Sequence, residues 1–348
     1  MNLDLAKKIA DAVLYEGYIL YPYRASAIKN RQRFNFGVLM PGEWAARQQA
    51  GETGRMHAEC LIEGDTPRID VRVRFLQLVA REIGRPIPSP PVAASPSQQF
   101  EIVPELMVDG EILQSWEEAI DREIVAPDLD LLRLVETPFI ARWQSAEQQT
   151  TEELRNADGE LVGAIIRRHQ PIGAVVTIHA VRLGEQLWKI EVDVENVTRL
   201  KADVPRAEAQ LSALASAHVL LAAESGQFVS LLEPPDAFAA AASGCQNRGL
   251  WPVLVGAEGE RDLLLASPII LYDYPQVAPE SDGDYFDGTE MDEMLALRVM
   301  TLTDDEKRAM RSLDRRAREI LERTEALSQT SLMHLHGTIR GLKEVAEP

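Results

Sequence analysis

Residues 68–79 read RIDVRVRFLQLV, and along most of this run apolar and polar side chains alternate one by one. Successive side chains of an extended strand point to opposite faces, so a period of two buries one face and wets the other. Ile69, Val71, Val73 and Phe75 therefore belong to a core, and Arg68, Asp70, Arg72 and Arg74 face away from it. A helix, with its period of 3.6, would scatter the same apolar residues around its cylinder. Residues 187–197 repeat the pattern, with Trp188, Ile190, Val192 and Val194 set against Lys189, Glu191, Asp193 and Glu195. The fold must offer both segments a sheet with one dry face.

Strand-like composition recurs through the chain. Residues 57–63 (HAECLIE) pair with 68–79 across a Gly64-Asp65 turn in this reading, as a half-buried antiparallel hairpin. Residues 100–108, 116–124, 138–146, 161–169 and 173–183 are also β-rich, and Asp109-Gly110, Asp158-Gly159 and Gly184 supply turns. Many strands joined by short polar turns point to an antiparallel sandwich or barrel-like sheet. Residues 206–223 suit a helix by composition, although the VLL run also suits the start of a strand. Residues 227–232 read as a strand ending at Pro234-Pro235. Two apolar strands, in WPVLVG and DLLLASPIILYDYP, flank a Glu258-Gly259 turn. Helices are expected at the ends. Residues 3–16 carry apolar positions at helical spacing, and Thr303 to Glu306 form a capping box ahead of a stripe of Met310, Leu313, Ala317, Ile320, Leu321 and Thr324. The fold class is α+β: a large antiparallel β-sheet or sandwich core, an N-terminal helix and a helical C-terminal region. The expected organisation is an aromatic segment with the first strands at 1–83, a Pro/Ser-rich linker or loop at 84–98, a β core at 99–235, and a last part at 236–348 that can share one domain with that core.

The 348 residues carry 55 acids against 36 Lys and Arg, a formal charge of −19. That excess argues against nucleic acid and anionic membranes as partners, since both select a basic surface. No apolar run approaches the ~20 residues of a membrane helix. The N-terminal MNLDLAKKIADAVLYEGY lacks the features of a signal peptide, and two cysteines, Cys60 and Cys245, suit a reducing compartment. A cytoplasmic location is expected.

Candidate chemistry is sparse. Between Arg261 and Arg298 there is no base and there are nine acids, among them Asp273, Glu280, Asp282, Asp284, Asp287 and Glu293. Hard cations want several carboxylate oxygens, so Asp282, Asp284, Asp287 and Glu293 are the metal-ligand candidates. An EF-hand register fails, because Phe286 falls at position five and Asp287 where glycine is required. Solvation, helix capping and a docking surface are the competing roles of this segment. The opposite feature is a basic patch, Arg24, Lys29, Arg31 and Arg33, with no acid between Glu16 and Glu43. Tyr21 and Tyr23 flank Arg24, whose guanidinium can stack and bind a carboxylate bidentately. An internal contact between this patch and residues 273–293, or a docking surface, accounts for both segments. Tyr21, Tyr23, Arg24, Lys29, Arg31, Trp251, Asp273 and Glu280 are the partner-binding or structural candidates. Cys60 and Cys245 are the reactive-thiol candidates. His57 and Cys60 stand at an H-x-x-C spacing, but strand alternation sends them to opposite faces. His169, His179 and His218 occur singly on apolar strands and suit satisfied core positions. The sequence contains no G-x-S-x-G, Walker A, H-E-x-x-H or C-x-x-C motif, and no catalytic residue or cofactor is assigned.

Three stretches carry a resemblance: ADAVLYEGYILYPYR at 10–24, WPVLVG at 251–256, and SPIILYD at 267–273 continuing through QVAPES to FDGTEMDE at 286–293. They resemble an uncharacterised bacterial family associated with the gene neighbourhoods of uptake nickel–iron hydrogenases. The likeness covers both ends of the chain well and the middle poorly. It implies an accessory or assembly protein that binds a hydrogenase subunit during maturation, and it brings no catalytic residues. Metallocentre work favours cysteine-rich motifs, which are missing here, so the expectation is protein binding without catalysis. The alternatives are a metal-binding protein or enzyme using 273–293 with Arg24, and a structural self-assembling module, with a homo-oligomer compatible with each.

Overall fold

The alternating run at 68–79 is the first part of one long strand, β2 (Arg68–Pro86), 19 residues in length. At ~3.3 Å per residue it reaches roughly 60 Å. The computed structural model describes residues 3–15, 37–48, 51–87, 99–201 and 203–275, with single positions between 302 and 326. Within it, β2 takes four partners. Along one edge it pairs with β12 (Leu214–Ala223) over 69–77 and then with β9 (Leu161–His169) over 80–84. Along the other edge it pairs with β6 (Trp116–Asp130) over 68–81 and then with β3 (Phe100–Val103) over 83–86.

The large sheet runs β14 (Trp251–Leu254), β15 (Leu263–Ser267), β12, β2, β9 and β8 (Gln148–Arg155), with β6 and β3 on the far edge of β2. A second sheet runs β13 (Gln227–Val229), β1 (Arg55–Glu63), β11 (Leu187–Asn196), β10 (Ile172–Arg182) and β7 (Phe139–Ser145). A small hairpin, β4 (Glu105–Val108) and β5 (Glu111–Gln114), completes the described strands, and every pairing between these strands is antiparallel. This is the expected α+β fold with an antiparallel sandwich core. The two inner faces meet in one cluster, where Ile69, Val71, Val73 and Phe75 pack with Trp188, Ile190, Val192 and Val194. Phe75 meets the Trp143 ring edge-on, 5.2 Å between centroids. No helix among the described residues is long and apolar enough to cross a membrane.

Four local expectations change. β1 and β2 are not a hairpin: β1 pairs with β11 and β13, so the chain crosses between sheets at Gly64-Asp65. Alternation tells which face of a strand is dry, and two facing sheets satisfy it as well as one. Trp188 marks the crossing, fully buried, with its Nε1 donating to the Gly64 carbonyl at 2.9 Å. The strand also runs on through Gly84-Arg85-Pro86 into the expected linker. A Cβ on Gly84 would lie 2.7 Å from that of Phe100, so the pairing with β3 needs glycine there. Residues 88–98 lie outside the described residues.

The window 206–223 divides into a short helix, α4 (Arg206–Gln210), and β12, which is buried at every position. One face of β12 looks into the sandwich, and the other lies under α1 (Leu3–Tyr15), whose Ile9, Ala10 and Val13 pack on Leu220 and Ala222. Burial on both faces erases the alternation that marks a strand. Strand β8 (QQTTEELR) is missed for the opposite reason, being exposed at seven of its eight positions. At the C-terminal end, described positions such as Asp304, Lys307 and Leu321 are helical and Leu321 is buried, whereas Glu306 of the capping box lies outside the described residues.

His218 sits on β12 opposite Arg74, beside a bulge where Ser216 adopts a φ of 51°. Its Nδ1 donates to the Ser216 carbonyl at 2.9 Å. Burial pushes its pKa down from 6.5 to about 4; the Ser216 carbonyl opposes this, and the charge of Arg74 adds to it. Burial also lowers the His169 pKa, with the charge of Arg122 adding to it. Between those limits of pH the unfolded chain binds more protons than the native one, so stability falls as pH drops from 6.5 towards 4. His218 alone accounts for a loss of up to ~3 kcal/mol. Urea unfolding of His218→Gln at pH 7 and at low pH is expected to show a smaller difference than the wild type; an equal difference would contradict this.

Candidate functional site

The outer face of the five-stranded sheet gathers a connected set of ionisable side chains that the interior rejects. Register sets its rows, because residues directly opposite one another share a face. His57 of β1 stands opposite Asp193 of β11, which stands opposite Thr177 of β10, which stands opposite Ile140 of β7. The next row is Glu59, Glu191 and His179. On the other side lies Arg55, Glu195, Val175 and Arg142.

The charges pair across the strands. Asp193 Oδ1 accepts from Arg55 at 2.7 Å and lies 2.9 Å from His57 Nδ1. Lys189 donates to Glu59 and to Glu191, each at 2.8 Å. His179 Nδ1 lies 3.4 Å from Glu191. Partial burial works against ionising Glu191, yet Lys189 and then His179 hold its carboxyl below the usual range. The Lys189 ammonium is disfavoured by its own burial and rescued by Glu191 and Glu59, which leave its pKa raised.

Glu59 is the buried member of this array and ties a loop onto the sheet. Its Oε2 accepts from the Gln246 amide at 2.7 Å, and its own amide donates to Asn247 Oδ1 at 2.8 Å. His57 and Arg248 exchange backbone hydrogen bonds at 3.0 and 2.8 Å. The loop follows α5 (Ala239–Ser243), and its apolar neighbours Phe238, Ala241 and Ala242 cover Leu61 and Val229.

A carboxylate holding an imidazole through Nδ1 is the orienting half of a nucleophile–base pair. The other nitrogen of His57 then has to face a nucleophile. Here Nε2 lies 3.5 Å from Glu59 Oε1, a second carboxylate. The imidazole is thus clasped between two carboxylates, and no described nucleophile faces its second nitrogen. Among the described residues no three His, Cys, Asp or Glu side chains gather in an arrangement that could hold a metal ion.

At the edge of the same face, one row ends in an apolar side chain. Ile140 is 54% exposed. Just before it, α3 (Leu131–Glu136) buries Leu131 and Leu134 and leaves Leu132 and Val135 in solvent. Apolar side chains beside a ring of paired charges match the make-up of protein interfaces, with their dry centre and polar rim.

The candidates named from sequence fare as follows. Asp273 is built into the fold: Oδ1 accepts from the Leu254 amide at 2.7 Å and Oδ2 from Ser230 Oγ at 2.5 Å. Trp251 opens β14, opposite Ser267, and is partly exposed. Cys60 points into the sandwich core and His57 out of it, as alternation requires. Both cysteines are free. Burial pushes the Cys60 thiol far up, with Cys245 and Glu59 adding to it, and burial pushes the Cys245 thiol up to about 11. Both are protonated at neutral pH. His169 is satisfied, with Gln77 Nε2 at 3.2 Å from Nδ1 and Gln148 Oε1 at 3.1 Å from Nε2. Tyr21, Tyr23, Arg24, Lys29, Arg31, Glu280, Asp282, Asp284, Asp287 and Glu293 lie outside the described residues. The ladder itself was half visible, since the polar side of 187–197 is legible in the sequence. Its cross-strand partners His57 and Glu59 required the register.

Compared with known proteins, the chain matches no family model and no curated protein.

Removing the Glu59 carboxylate leaves the Gln246 amide without its acceptor and Lys189 with Glu191 alone. Glu59→Ala is expected to cost about 2–4 kcal/mol in urea unfolding, and to speed maleimide labelling of Cys245 in the native protein. Unchanged stability and unchanged labelling would show that Glu59 does not hold the loop.

Proposed function

We propose that this chain is a non-catalytic accessory protein that binds a protein partner through the outer face of the five-stranded sheet. The observation that carries this reading is Ile140, an exposed apolar side chain in the same row as the His57–Asp193 pair. Interfaces draw affinity from a few apolar anchors and specificity from the charges around them. Four carboxylates, Glu59, Glu191, Asp193 and Glu195, stand in this array with Arg55 and Lys189, so the face selects a partner patch with basic groups around an apolar centre.

The partner in this proposal is a subunit of a nickel–iron hydrogenase, bound during maturation in the cytoplasm. That part rests on the resemblance of residues 10–24, 251–256 and 267–293. An accessory role agrees with an array whose charges pair across the strands and aim at no common point.

The test is a tagged full-length chain recovered from cells that express the hydrogenase. A hydrogenase subunit is expected to co-purify, and Ile140→Glu to reduce its recovery at least tenfold. Deleting the gene is expected to lower hydrogenase activity. Normal activity in the deletion strain would overturn the hydrogenase assignment, and undiminished capture by Ile140→Glu would overturn the docking face.

A further inference from the structure

Among the described residues, strand β8 ends the large sheet and pairs with β9 alone. A terminal strand presents a row of unsatisfied backbone N–H and C=O groups. Folded proteins blunt such edges with proline, lysine, bulges or covering chain. Three other edge strands are blunted: β6 contains Pro127, β13 has three residues, and β14 contains Pro252 and is engaged at Leu254 by Asp273 and Tyr274. Strand β8 has neither proline nor lysine, and its register with β9 is unbroken from Gln148 to Leu154. Its acids are already paired, Glu152 with Arg167 at 2.8 Å and Glu153 with Arg155 at 2.7 Å.

We propose that β8 pairs antiparallel with β8 of a second copy of this chain, around a two-fold axis at Thr151, so that two large sheets join into one. The register follows from symmetry and charge. The axis of such a pair is normal to the sheet, and each side chain keeps its own face. Opposite residues must therefore have the same parity, which centres the pair on a residue. Centred on Thr151, that residue faces its own copy, Thr150 faces Glu152, Gln149 faces Glu153, Gln148 faces Leu154 and Glu147 faces Arg155. No like charges meet, and each Glu147 comes opposite Arg155, which also holds Glu153 of its own strand. A centre at Thr150 sets Glu147 against Glu153, and a centre at Glu152 sets that carboxylate against itself. Like charges directly opposite are destabilising. The net charge of −19 on each copy opposes association at long range, and salt of ~0.15 M screens it beyond ~8 Å.

Light scattering of the full chain at micromolar concentration in that salt is expected to give twice the 38.7 kDa of one copy. Thr151→Lys places two ammonium groups face to face and is expected to give 38.7 kDa with a native far-ultraviolet circular dichroism spectrum. Under mild oxidation Thr151→Cys is expected to form an intermolecular disulfide, because directly opposed Cα atoms ~4.5–5.5 Å apart lie within disulfide range. Gln149→Cys, which faces Glu153, is expected to form none. Glu147→Arg and Arg155→Glu are each expected to weaken the dimer, and together to restore it. A monomeric wild type, or a dimer that survives Thr151→Lys, overturns the proposal. The outer face of the five-stranded sheet is a separate surface, so Ile140→Glu leaves this dimer intact, and loss of either interaction is scored without the other.

Discussion

The structure depends on the hydrogen-bond ladders along β2. A 19-residue strand is too long for one partner, and this one is shared among β12, β9, β6 and β3. Its first half supplies Ile69, Val71, Val73 and Phe75 to the sandwich. Its second half runs on with the buried Val79 and Ile83 and carries β9, and through it β8, at the sheet's edge. One strand thus links the core that gives stability to the edge that offers a surface. A strand-breaking residue near its middle would separate the two.

The second sheet is the other half of that arrangement. Its inner face is apolar because it meets β2 and its neighbours, and strand alternation then forces charges onto the outer face. Exposed ion pairs add little to stability, each about 0–1 kcal/mol. What sets this array apart is Glu59, which is buried and binds a loop through backbone amides. The ladder is therefore fixed to a rigid element, and Ile140 lies in the same row. A surface whose charges hold one arrangement pays less ordering entropy on binding.

Much of the fold was legible wherever one side of a strand is wet. Residues 68–79 and 187–197 show their dry faces directly, and the turns at Asp109-Gly110 and Gly259 appear with the left-handed φ that glycine and aspartate tolerate. Legibility failed where both faces share one environment. Strand β12 is buried on both sides and suits a helix by composition, while β8 is wet on both sides and shows no alternation to mark it as a strand. It failed again for pairing, since alternation cannot say whether β1 and β2 lie side by side or face to face. Of the site, the carboxylates of 187–197 could be read, but the meeting of His57 with Asp193 is a fact of register, and the role of Glu59 depends on a loop almost 190 residues away. Asp273 stood out as one of a run of acids, and its role is internal, joining the Leu254 amide to Ser230.

The central claim is that the outer face of the five-stranded sheet is where another protein docks. Amide hydrogen exchange of the full chain, measured alone and with purified hydrogenase subunits, tests it most directly. The account predicts slower exchange in α3 and β7, around Leu132, Val135 and Ile140, with β12 unchanged because it is buried in both states. Exchange unaltered in α3 and β7, or protection confined to other parts of the chain, would contradict it.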